Sequence, residues 1–317
     1  MSFITGLHHV TAMASDPQKN LDFYAGILSL RMVKKTINFD APDIYHLYYG
    51  DESGKPGTIM TFFPIPGLPK GRKGKGQLTV TSFSIPENSL DYWMKRLDKF
   101  KIPYKDPQQR FDDEVFIYLE DYDGLGIELV ANKKDQRKGF TYGQLPEEHA
   151  IKGFYGVALS VEGYERTAAI LSEKMDHKPV IEKGNRFRFS ASGRAGDYVD
   201  VLCSPDSMRG LGGSGTVHHV AFATENDQTQ LEAREIISSA GLNVTPVLDR
   251  QYFHSIYFRE PGGILFEVAT SDIGFDLDEK IENLGEELKL PPWQEANRNN
   301  IEKGLEPIEL NIEPFRD

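Results

Sequence analysis

The sequence predicts an α+β protein built from four βαβββ modules, which pair to form two half-barrel domains. Three observations support this prediction. The order strand, helix, strand, strand, strand occurs four times along the 317 residues, and two of the joins between copies, at 71–76 and 209–214, are glycine-rich as linkers often are. Phe83 and Phe222 occupy equivalent places in two copies and are 139 residues apart. Glu128 and Glu267 show the same separation, which indicates a duplication that kept its register.

The fourth module shows the pattern most clearly. It begins with the run Val-His-His-Val-Ala-Phe-Ala at 217–223, and helical spacing follows at 231–240 and stops at Gly241. Three strand-rich runs come next, at about 243–249, 253–259 and 263–269. The second module, at 77–131, repeats this order, and the first and third modules are looser copies.

The four modules are predicted at about 6–63, 77–131, 153–203 and 216–269. A unit of about 50–60 residues cannot bury both faces of its own sheet, so the modules must pair. Residues 1–140 then contain modules one and two, and residues 150–270 contain modules three and four. The acidic segment 271–317 is predicted to be a C-terminal tail that packs back on the body.

Composition and charge limit the partners of the chain. The formal net charge is −12 and the sequence pI is about 5.2, so the surface repels phosphate backbones and nucleic acid is not an expected partner. No apolar stretch approaches the roughly 18 residues of a membrane span, and residues 1–7 lack a basic region followed by a long apolar stretch. The single cysteine, Cys203, excludes an intrachain disulfide and fits a reducing compartment. We therefore expect a cytoplasmic protein with no membrane partner; the sequence leaves a homo-oligomer open.

Candidate metal ligands lie on the first and last strands of the modules. Adjacent residues of a strand point to opposite faces, and the bulky apolar residues belong under the helix. That alternation leaves His219 and Glu267 on the concave face of the fourth module. His9 occupies the equivalent position in the first module, because the sequence His-His-Val occurs in both.

Two neutral imidazoles and one carboxylate form the facial triad of non-haem Fe(II) enzymes and leave coordination positions open for substrate and dioxygen. Fe(II) is therefore the predicted cofactor. Mn(II) fits the same ligands, whereas Zn(II) more often takes four protein ligands. A single His-His pair could be a strand-start feature satisfied by backbone hydrogen bonds, but two pairs at equivalent positions favour a metal. If His9 is a ligand, modules one and four must share a barrel.

The repeated module resembles the vicinal oxygen chelate superfamily, also called the glyoxalase/bleomycin-resistance/extradiol dioxygenase superfamily, over about residues 4–270. In that superfamily the ligands lie on the first and last strands of each module. The second module has Val80 where the fourth has His219, yet it keeps Glu128. We expect Glu128 to be a remnant that now forms a salt bridge.

Other pairings of the modules give poorer ligand sets. The third module offers Tyr155 or Gly156 and then Asp200 at the ligand positions. Pairing module one with module two gives one histidine and one glutamate, and pairing module three with module four gives His219, Glu267 and at most Asp200. The pairing of modules one and four is favoured because it gives two histidines and a glutamate.

A closer resemblance is to the hydroquinone ring-cleaving dioxygenases of the methylhydroquinone and 2,6-dichlorohydroquinone type. It is carried by His8-His9-x-Thr11, His218-His219, Arg250, Tyr257 and Glu267. It implies that His9, His219 and Glu267 hold the metal. It also implies that five further residues surround the metal site: His8, Thr11, His218, Arg250 and Tyr257. Alternatives remain for two of these, since a strand tyrosine is often structural and Arg250 could simply pair with Asp249. His254, on the same strand as Tyr257, is not assigned.

The resemblance implies an Fe(II)-dependent dioxygenase that cleaves the ring of hydroquinone-type aromatics, in quinone or aromatic detoxification. The partners would be a small aromatic substrate and dioxygen. Two other functions are compatible with the fold. A glyoxalase-like isomerase or lyase would normally show a fourth protein ligand, and a ligand-sequestering protein of the antibiotic-binding kind would need no metal.

Overall fold

The computed structural model describes residues 3–111 and 113–317. Module one contains β1 (Gly6–Ala14), α1 (Pro17–Leu21, continued by a π-helical segment at Asp22–Ile27), β2 (Arg31–Asn38), β3 (Ala41–Gly50) and β4 (Ile59–Pro64). Module two contains β5 (Gln77–Ile85), α2 (Leu90–Lys99), β6 (Tyr104–Arg110), β7 (Glu114–Glu120) and β8 (Gly126–Ala131). The predicted βαβββ order is confirmed in both.

The second half of the chain repeats the order. Module three contains β9 (Gly153–Val161), α3 (Glu165–Lys174), β10 (Lys178–Lys183), β11 (Arg186–Ser190) and β12 (Tyr198–Cys203). Module four contains β13 (Thr216–Thr224), α4 (Asp227–Ser239), β14 (Leu248–Asp249), β15 (His254–Arg259) and β16 (Leu265–Thr270). The tail carries one helix, α5 (Arg298–Gly304), and several short 3-10 turns. No helix of the described ranges is long and apolar enough to cross a membrane.

The strands form two curled, eight-stranded sheets, which confirms the predicted α+β fold with paired-module half-barrels. The first sheet has the order β14-β15-β16-β13-β1-β4-β3-β2, and the second has the order β10-β11-β12-β9-β5-β8-β7-β6. Modules one and four therefore share the first sheet, and modules two and three share the second. The segments 1–140 and 150–270 each contribute to both sheets, so these consecutive halves of the chain do not correspond to the half-barrels.

The joint between the modules of a half-barrel is a pair of antiparallel first strands. Within a module the first strand runs parallel to the last, as β1 does with β4 and β13 does with β16, and its other edge is left free. That edge pairs β1 with β13 in the first half-barrel and β5 with β9 in the second. Two antiparallel, equivalent strands at the centre of each sheet give the half-barrel an approximate twofold symmetry.

The prediction of a strand at about 243–249 is wrong for most of that range. Only Leu248–Asp249 pairs with β15 in a ladder. Pro246 lies in the middle of the expected strand and has no backbone N–H to donate, so a continuous ladder cannot form there. Thr245 nevertheless holds the segment to β15, because its N–H donates to the carbonyl of Tyr257 at 3.0 Å and its Oγ1 accepts from the N–H of Tyr257 at 3.0 Å.

The two glycine-rich linkers pair with each other. Arg72 and Leu211 exchange two backbone hydrogen bonds of 2.9 and 2.8 Å, and the N–H of Gly71 donates to the carbonyl of Ser214 at 2.9 Å. The backbones approach so closely that a Cβ atom on Gly74 would lie 2.2 Å from the carbonyl oxygen of Met208. Glycine is therefore needed for this approach, and the linkers are a structural joint between the two half-barrels.

The helices cover the outer faces of the sheets, as the alternation of apolar residues predicts. In module four α4 begins at a capping box, in which Asn226 accepts from the N–H of Thr229 and the Thr229 hydroxyl accepts from the N–H of Asn226. Its buried side packs against the outward residues of β13 and β16 in one apolar core. The residues of this contact are Ala233, Ile237, Val220, Phe222, Phe266 and Val268.

The tail at 271–317 packs back on the body. Phe275 and Leu284 lie in a buried cluster with Tyr48 of β3 and Ala269 of β16, inside the first half-barrel. The buried Lys34 of β2 fixes this part of the tail, since its Nζ lies 2.6 Å from an oxygen of Asp278. The tail thus closes one end of the concave face of the first sheet.

Two buried carboxyl groups join the half-barrels at their hairpin turns. Asp121, between β7 and β8 of the second sheet, accepts from the hydroxyl of Tyr24 in module one at 2.9 Å. Glu260, 139 residues further on between β15 and β16, accepts from the hydroxyl of Thr167 in module three at 2.7 Å. The duplication has therefore kept one contact twice. The hairpin turn of module two binds the helical segment of module one, and the hairpin turn of module four binds the helix of module three.

The burial of Asp121 makes stability depend on pH. Burial raises the pKa of Asp121 to about 6, so the folded state holds the proton more tightly than the unfolded state, and the stabilisation from protonation is lost as the pH rises through about 6. We expect the unfolding free energy of the native protein, measured against Asp121→Asn, to fall by about 1–3 kcal/mol between about pH 4 and about pH 7. Urea unfolding across this range measures it. Tyr24→Phe should keep the pH dependence, because burial causes it; a difference that is constant with pH would contradict the assignment.

Candidate metal centre

Three side chains from modules one and four meet on the concave face of the first sheet. His9 lies on β1, His219 on β13 and Glu267 on β16. The Nε2 atoms of His9 and His219 are 3.2 Å apart. Oε2 of Glu267 lies 3.3 Å from Nε2 of His9 and 3.0 Å from Nε2 of His219. The structure therefore brings together the three residues that the sequence analysis selects as ligands.

The register of the first sheet accounts for this meeting. Thr11 is the partner of His219 across the β1–β13 ladder, and His9 is the partner of Ala221. Ala221 in turn is the partner of Glu267 across the β13–β16 ladder. Directly opposed residues share a face of the sheet, so all three candidate ligands point into the concavity.

The donor set fits a divalent cation. His9, His219 and Glu267 are 2%, 5% and 0% exposed, and their ligand atoms lie within 4.8 Å of one another. Oε1 of Glu267 accepts from the hydroxyl of Ser255, but Oε2 is buried and accepts no well-aligned hydrogen bond from the described residues. A buried carboxylate oxygen without a donor is costly, and a cation at this point would supply its missing partner.

A second histidine supports each candidate histidine ligand. Nδ1 of His8 lies 2.9 Å from Nδ1 of His9, and Nδ1 of His218 lies 2.8 Å from Nδ1 of His219. Nε2 of His8 also lies 3.1 Å from the carbonyl oxygen of Thr270, which can only accept. His8 therefore carries its proton on Nε2, Nδ1 of His9 donates to His8, and the Nε2 lone pair of His9 is left free for a metal.

The electrostatics of the site favour the protonation states that a metal requires. Burial lowers the pKa of His8 to about 3 and also lowers the pKa of His219, so both imidazoles are neutral at neutral pH. Burial alone would raise the pKa of Glu267, but the neighbouring imidazoles of His9 and His219 outweigh it, and the pKa is well below the ordinary value. A neutral imidazole at His219 and an ionised carboxylate at Glu267 are protonation states that bind a divalent metal.

Arg250 and Tyr257 lie beside the site on module four. The ring of Tyr257 meets the ring of His219 edge-on, with 5.7 Å between centroids, and the Arg250 guanidinium lies 5.5 Å from the centroid of the Tyr257 ring. Arg250 does not pair with Asp249: its Nη1 lies 3.1 Å from Oδ2 of Asp40, in the β2–β3 turn of module one. Module one therefore helps to fix the position of this arginine.

His254 points away from the concavity. It precedes Ser255 on β15 and so faces the opposite side of the sheet from Ser255 and Tyr257. Its Nδ1 lies 2.6 Å from Oδ1 of Asp227, at the start of α4. The side chain that the sequence analysis leaves unassigned thus belongs to the outer, helix-covered face.

Three residues near the candidate site are missed by the sequence analysis as site residues: Thr61 on β4 and His46 and Tyr48 on β3. Thr61 is the partner of Thr11 across the β1–β4 ladder, as Glu267 is the partner of Ala221 across the β13–β16 ladder. Thr61 therefore stands in module one at the position that Glu267 has in module four. Its Oγ1 lies 2.8 Å from Oγ1 of Thr11 and 2.8 Å from Nε2 of His46. The loose repeat hides these residues, since module one does not keep the 139-residue register.

The equivalent face of the second half-barrel is filled by ion pairs. Glu128 stands at the Glu267 position, and its Oε2 lies 2.7 Å from Nη1 of Arg110, which confirms the predicted salt bridge. Asp200 binds Arg188, with 2.6 Å between Oδ1 and Nε. Nη1 of Arg188 also lies 2.6 Å from Oε2 of Glu114. The carboxylates on this face thus have guanidinium groups as counter-charges.

Sequence comparison agrees with the fold and the site. The sequence model of the Glyoxalase/Bleomycin resistance protein/Dioxygenase superfamily matches residues 6–129 and 144–268. The chain belongs to this superfamily, which confirms the relationship expected from the repeated modules. Glyoxalase I from Zea mays has the same fold, with a TM-score of 0.62 at 12% identity, and the match covers 84% of this chain and 92% of the maize chain.

Two relatives are more specific. The chain is 45% identical over 305 residues to the "Putative ring-cleaving dioxygenase MhqO" of Bacillus subtilis (strain 168), covering 96% of this chain and 97% of the relative. It is 32% identical over 307 residues to the "Chlorohydroquinone/hydroquinone 1,2-dioxygenase" of Sphingobium indicum, covering 94% and 95%. A crystal structure of a "putative dioxygenase" from Bacillus subtilis superposes with a TM-score of 0.94 at 44% identity, covering 98% and 99% of the two chains. The expected relationship to ring-cleaving dioxygenases is confirmed.

Replacing the candidate carboxylate ligand tests the metal centre. We expect Glu267→Gln to lower Fe(II) affinity by at least about a hundredfold, because it removes an anionic ligand that the two imidazoles cannot replace. The measurement is iron bound per chain after anaerobic Fe(II) loading and gel filtration. Glu128→Gln is the matched control: it changes the equivalent residue of module two and should leave bound iron unchanged. Equal iron in the native protein and Glu267→Gln would reject Glu267 as a ligand.

Proposed function

We propose that this enzyme is an Fe(II)-dependent dioxygenase that cleaves the ring of hydroquinone-type aromatics, with a role in removing quinone-forming compounds. The observation that carries the proposal is the convergence of two imidazoles and one carboxylate in a protected concavity. Three ligands on one side leave positions for a substrate oxygen and for dioxygen. Similarity to a relative named as a hydroquinone dioxygenase supports the choice of substrate.

A glyoxalase-like isomerase is less well supported. Such a site would draw a fourth ligand from the last strand of module one, where Thr61 stands instead of a carboxylate. The Thr61 hydroxyl is already engaged with Thr11 and His46. The donor set of this chain therefore fits a three-ligand site.

Bound Fe(II) would supply the electron transfer between the aromatic ring and dioxygen that the side chains alone cannot perform. His9, His219 and Glu267 would hold it, with His8 and His218 fixing the orientation of the imidazoles. Burial raises the pKa of Tyr257, so its hydroxyl stays protonated and can donate to a substrate oxygen. Arg250 adds a fixed positive charge on the same side, which favours a substrate in its anionic form.

Oxygen consumption tests this function. After anaerobic Fe(II) loading, we expect oxygen uptake with hydroquinone and methylhydroquinone, slower uptake with catechol, and no turnover of methylglyoxal. No uptake with any diol, together with turnover of methylglyoxal, would replace the dioxygenase proposal with the isomerase.

A variant tests the role of Tyr257. We expect Tyr257→Phe to lower kcat for hydroquinone by about a hundredfold, because it removes a donor aimed at the reacting oxygen. Tyr118→Phe is the matched control, since Tyr118 is opposite Glu128 in module two as Tyr257 is opposite Glu267 in module four. Equal loss in both variants would indicate a structural effect of the hydroxyl and contradict the proposed role.

A further inference from the structure

The wall of the concavity opposite Tyr257 is polar and belongs to module one. Tyr48 is the partner of Thr61 across the β3–β4 ladder, as Tyr257 is the partner of Glu267 across the β15–β16 ladder. The approximate twofold symmetry of the half-barrel therefore places Tyr48 and Tyr257 on opposite sides of the candidate metal ligands. His46, two residues before Tyr48 on the same face of β3, stands at the position that Ser255 takes in module four.

A continuous chain of hydrogen bonds runs from this wall toward the ligands. The hydroxyl of Tyr48 lies 2.8 Å from Nδ1 of His46, and Nε2 of His46 lies 2.8 Å from Oγ1 of Thr61. Oγ1 of Thr61 lies 2.8 Å from Oγ1 of Thr11. Thr11 is the direct partner of His219, so the chain of hydrogen bonds ends beside a candidate metal ligand.

The hydrogen-bond chain can run from Tyr48 toward Thr11. Tyr48 is 1% exposed, and donation from its hydroxyl to Nδ1 of His46 satisfies the buried O–H. Burial raises the pKa of the Tyr48 phenol, which keeps that proton in place. A neutral imidazole that accepts at Nδ1 carries its proton on Nε2, so His46 donates to Thr61.

The proton at the end of this chain of hydrogen bonds, on the Thr11 hydroxyl, is left to donate to a ligand. Thr61 accepts from His46 and therefore donates to Thr11, so the Thr11 hydroxyl hydrogen has no acceptor within the chain. Thr36 adds a further polar group to the same wall: it is opposite His46 across the β2–β3 ladder, and its buried Oγ1 has no partner among the described residues. The wall thus offers polar groups to a ligand that carries oxygen atoms.

We propose that His46 is a positioning residue, which acts through Thr61 to hold the Thr11 hydroxyl as a donor toward a substrate oxygen at the open side of the His9–His219–Glu267 group. A hydroxyl held as a donor binds an acceptor oxygen, and the anionic oxygen of a phenolate is a stronger acceptor than the oxygen of a neutral phenol. This chain of hydrogen bonds would therefore favour binding of a diol in its mono-anionic form. This inference rests on the proposed function, since it names the ionic form in which that substrate binds.

The test is anaerobic binding of nitrohydroquinone, whose visible absorption reports ionisation of the phenol, to the Fe(II)-loaded protein over a range of pH. We expect His46→Leu to weaken binding of the phenolate by roughly ten- to a hundredfold and to raise the apparent pKa of the bound phenol. His46→Gln should restore much of the binding, because its amide can accept from Tyr48 and donate to Thr61. Bound iron should be unchanged in both variants, and His254→Gln, on the outer face, should behave like the native protein.

Non-additivity provides a second readout. Thr11→Val should weaken binding as much as His46→Leu does, and the double variant should be no worse than Thr11→Val alone. Equal behaviour of His46→Leu and His46→Gln, loss of iron in His46→Leu, or additive losses in the double variant would each overturn the positioning role. If the native protein binds the phenolate but consumes no oxygen with any diol, the proposed function fails while the positioning role stands.

Discussion

The antiparallel pairing of β1 with β13 is the constraint on which the rest of the molecule depends. It joins the first module to the last, although more than two hundred residues separate His9 from His219 along the chain. The pairing also sets the register in which Thr11 faces His219, and so it decides which residues surround the site. A slip of one residue would turn every one of these side chains to the other face of the sheet. The candidate site therefore follows from the geometry of a module interface and not from any single module.

Much of the fold could be predicted because the duplication repeats its signals. The four modules, the outward apolar residues and the concave placement of His219 and Glu267 all follow from strand alternation. The 139-residue register shows where Glu128 is equivalent to Glu267, and the replacement of histidine by Val80 indicates that module two has lost its part of a metal site. The salt bridge from Glu128 to Arg110 agrees with that loss.

The remaining features depend on contacts that one sequence does not reveal. His46 and Tyr48 lie in a module whose spacing has drifted. They stand 209 residues before Ser255 and Tyr257, whereas His9 stands 210 residues before His219 and Thr61 stands 206 residues before Glu267. The partner of Arg250 is Asp40, far away in the chain, and not the adjacent Asp249. Strand β14 is shorter than expected because Pro246 removes a backbone donor from the ladder.

The ion pairs of the second half-barrel have a consequence for how the two halves are held together. There, guanidinium groups of Arg110 and Arg188 supply the positive charge next to Glu128 and Asp200, and they are covalently part of the chain. In the first half-barrel the corresponding positive charge would come from an exchangeable ion. One half of the molecule thus carries its counter-charge permanently. Loss of a metal from the other half would leave Glu267 without its counter-charge, while Glu128 and Asp200 would keep theirs.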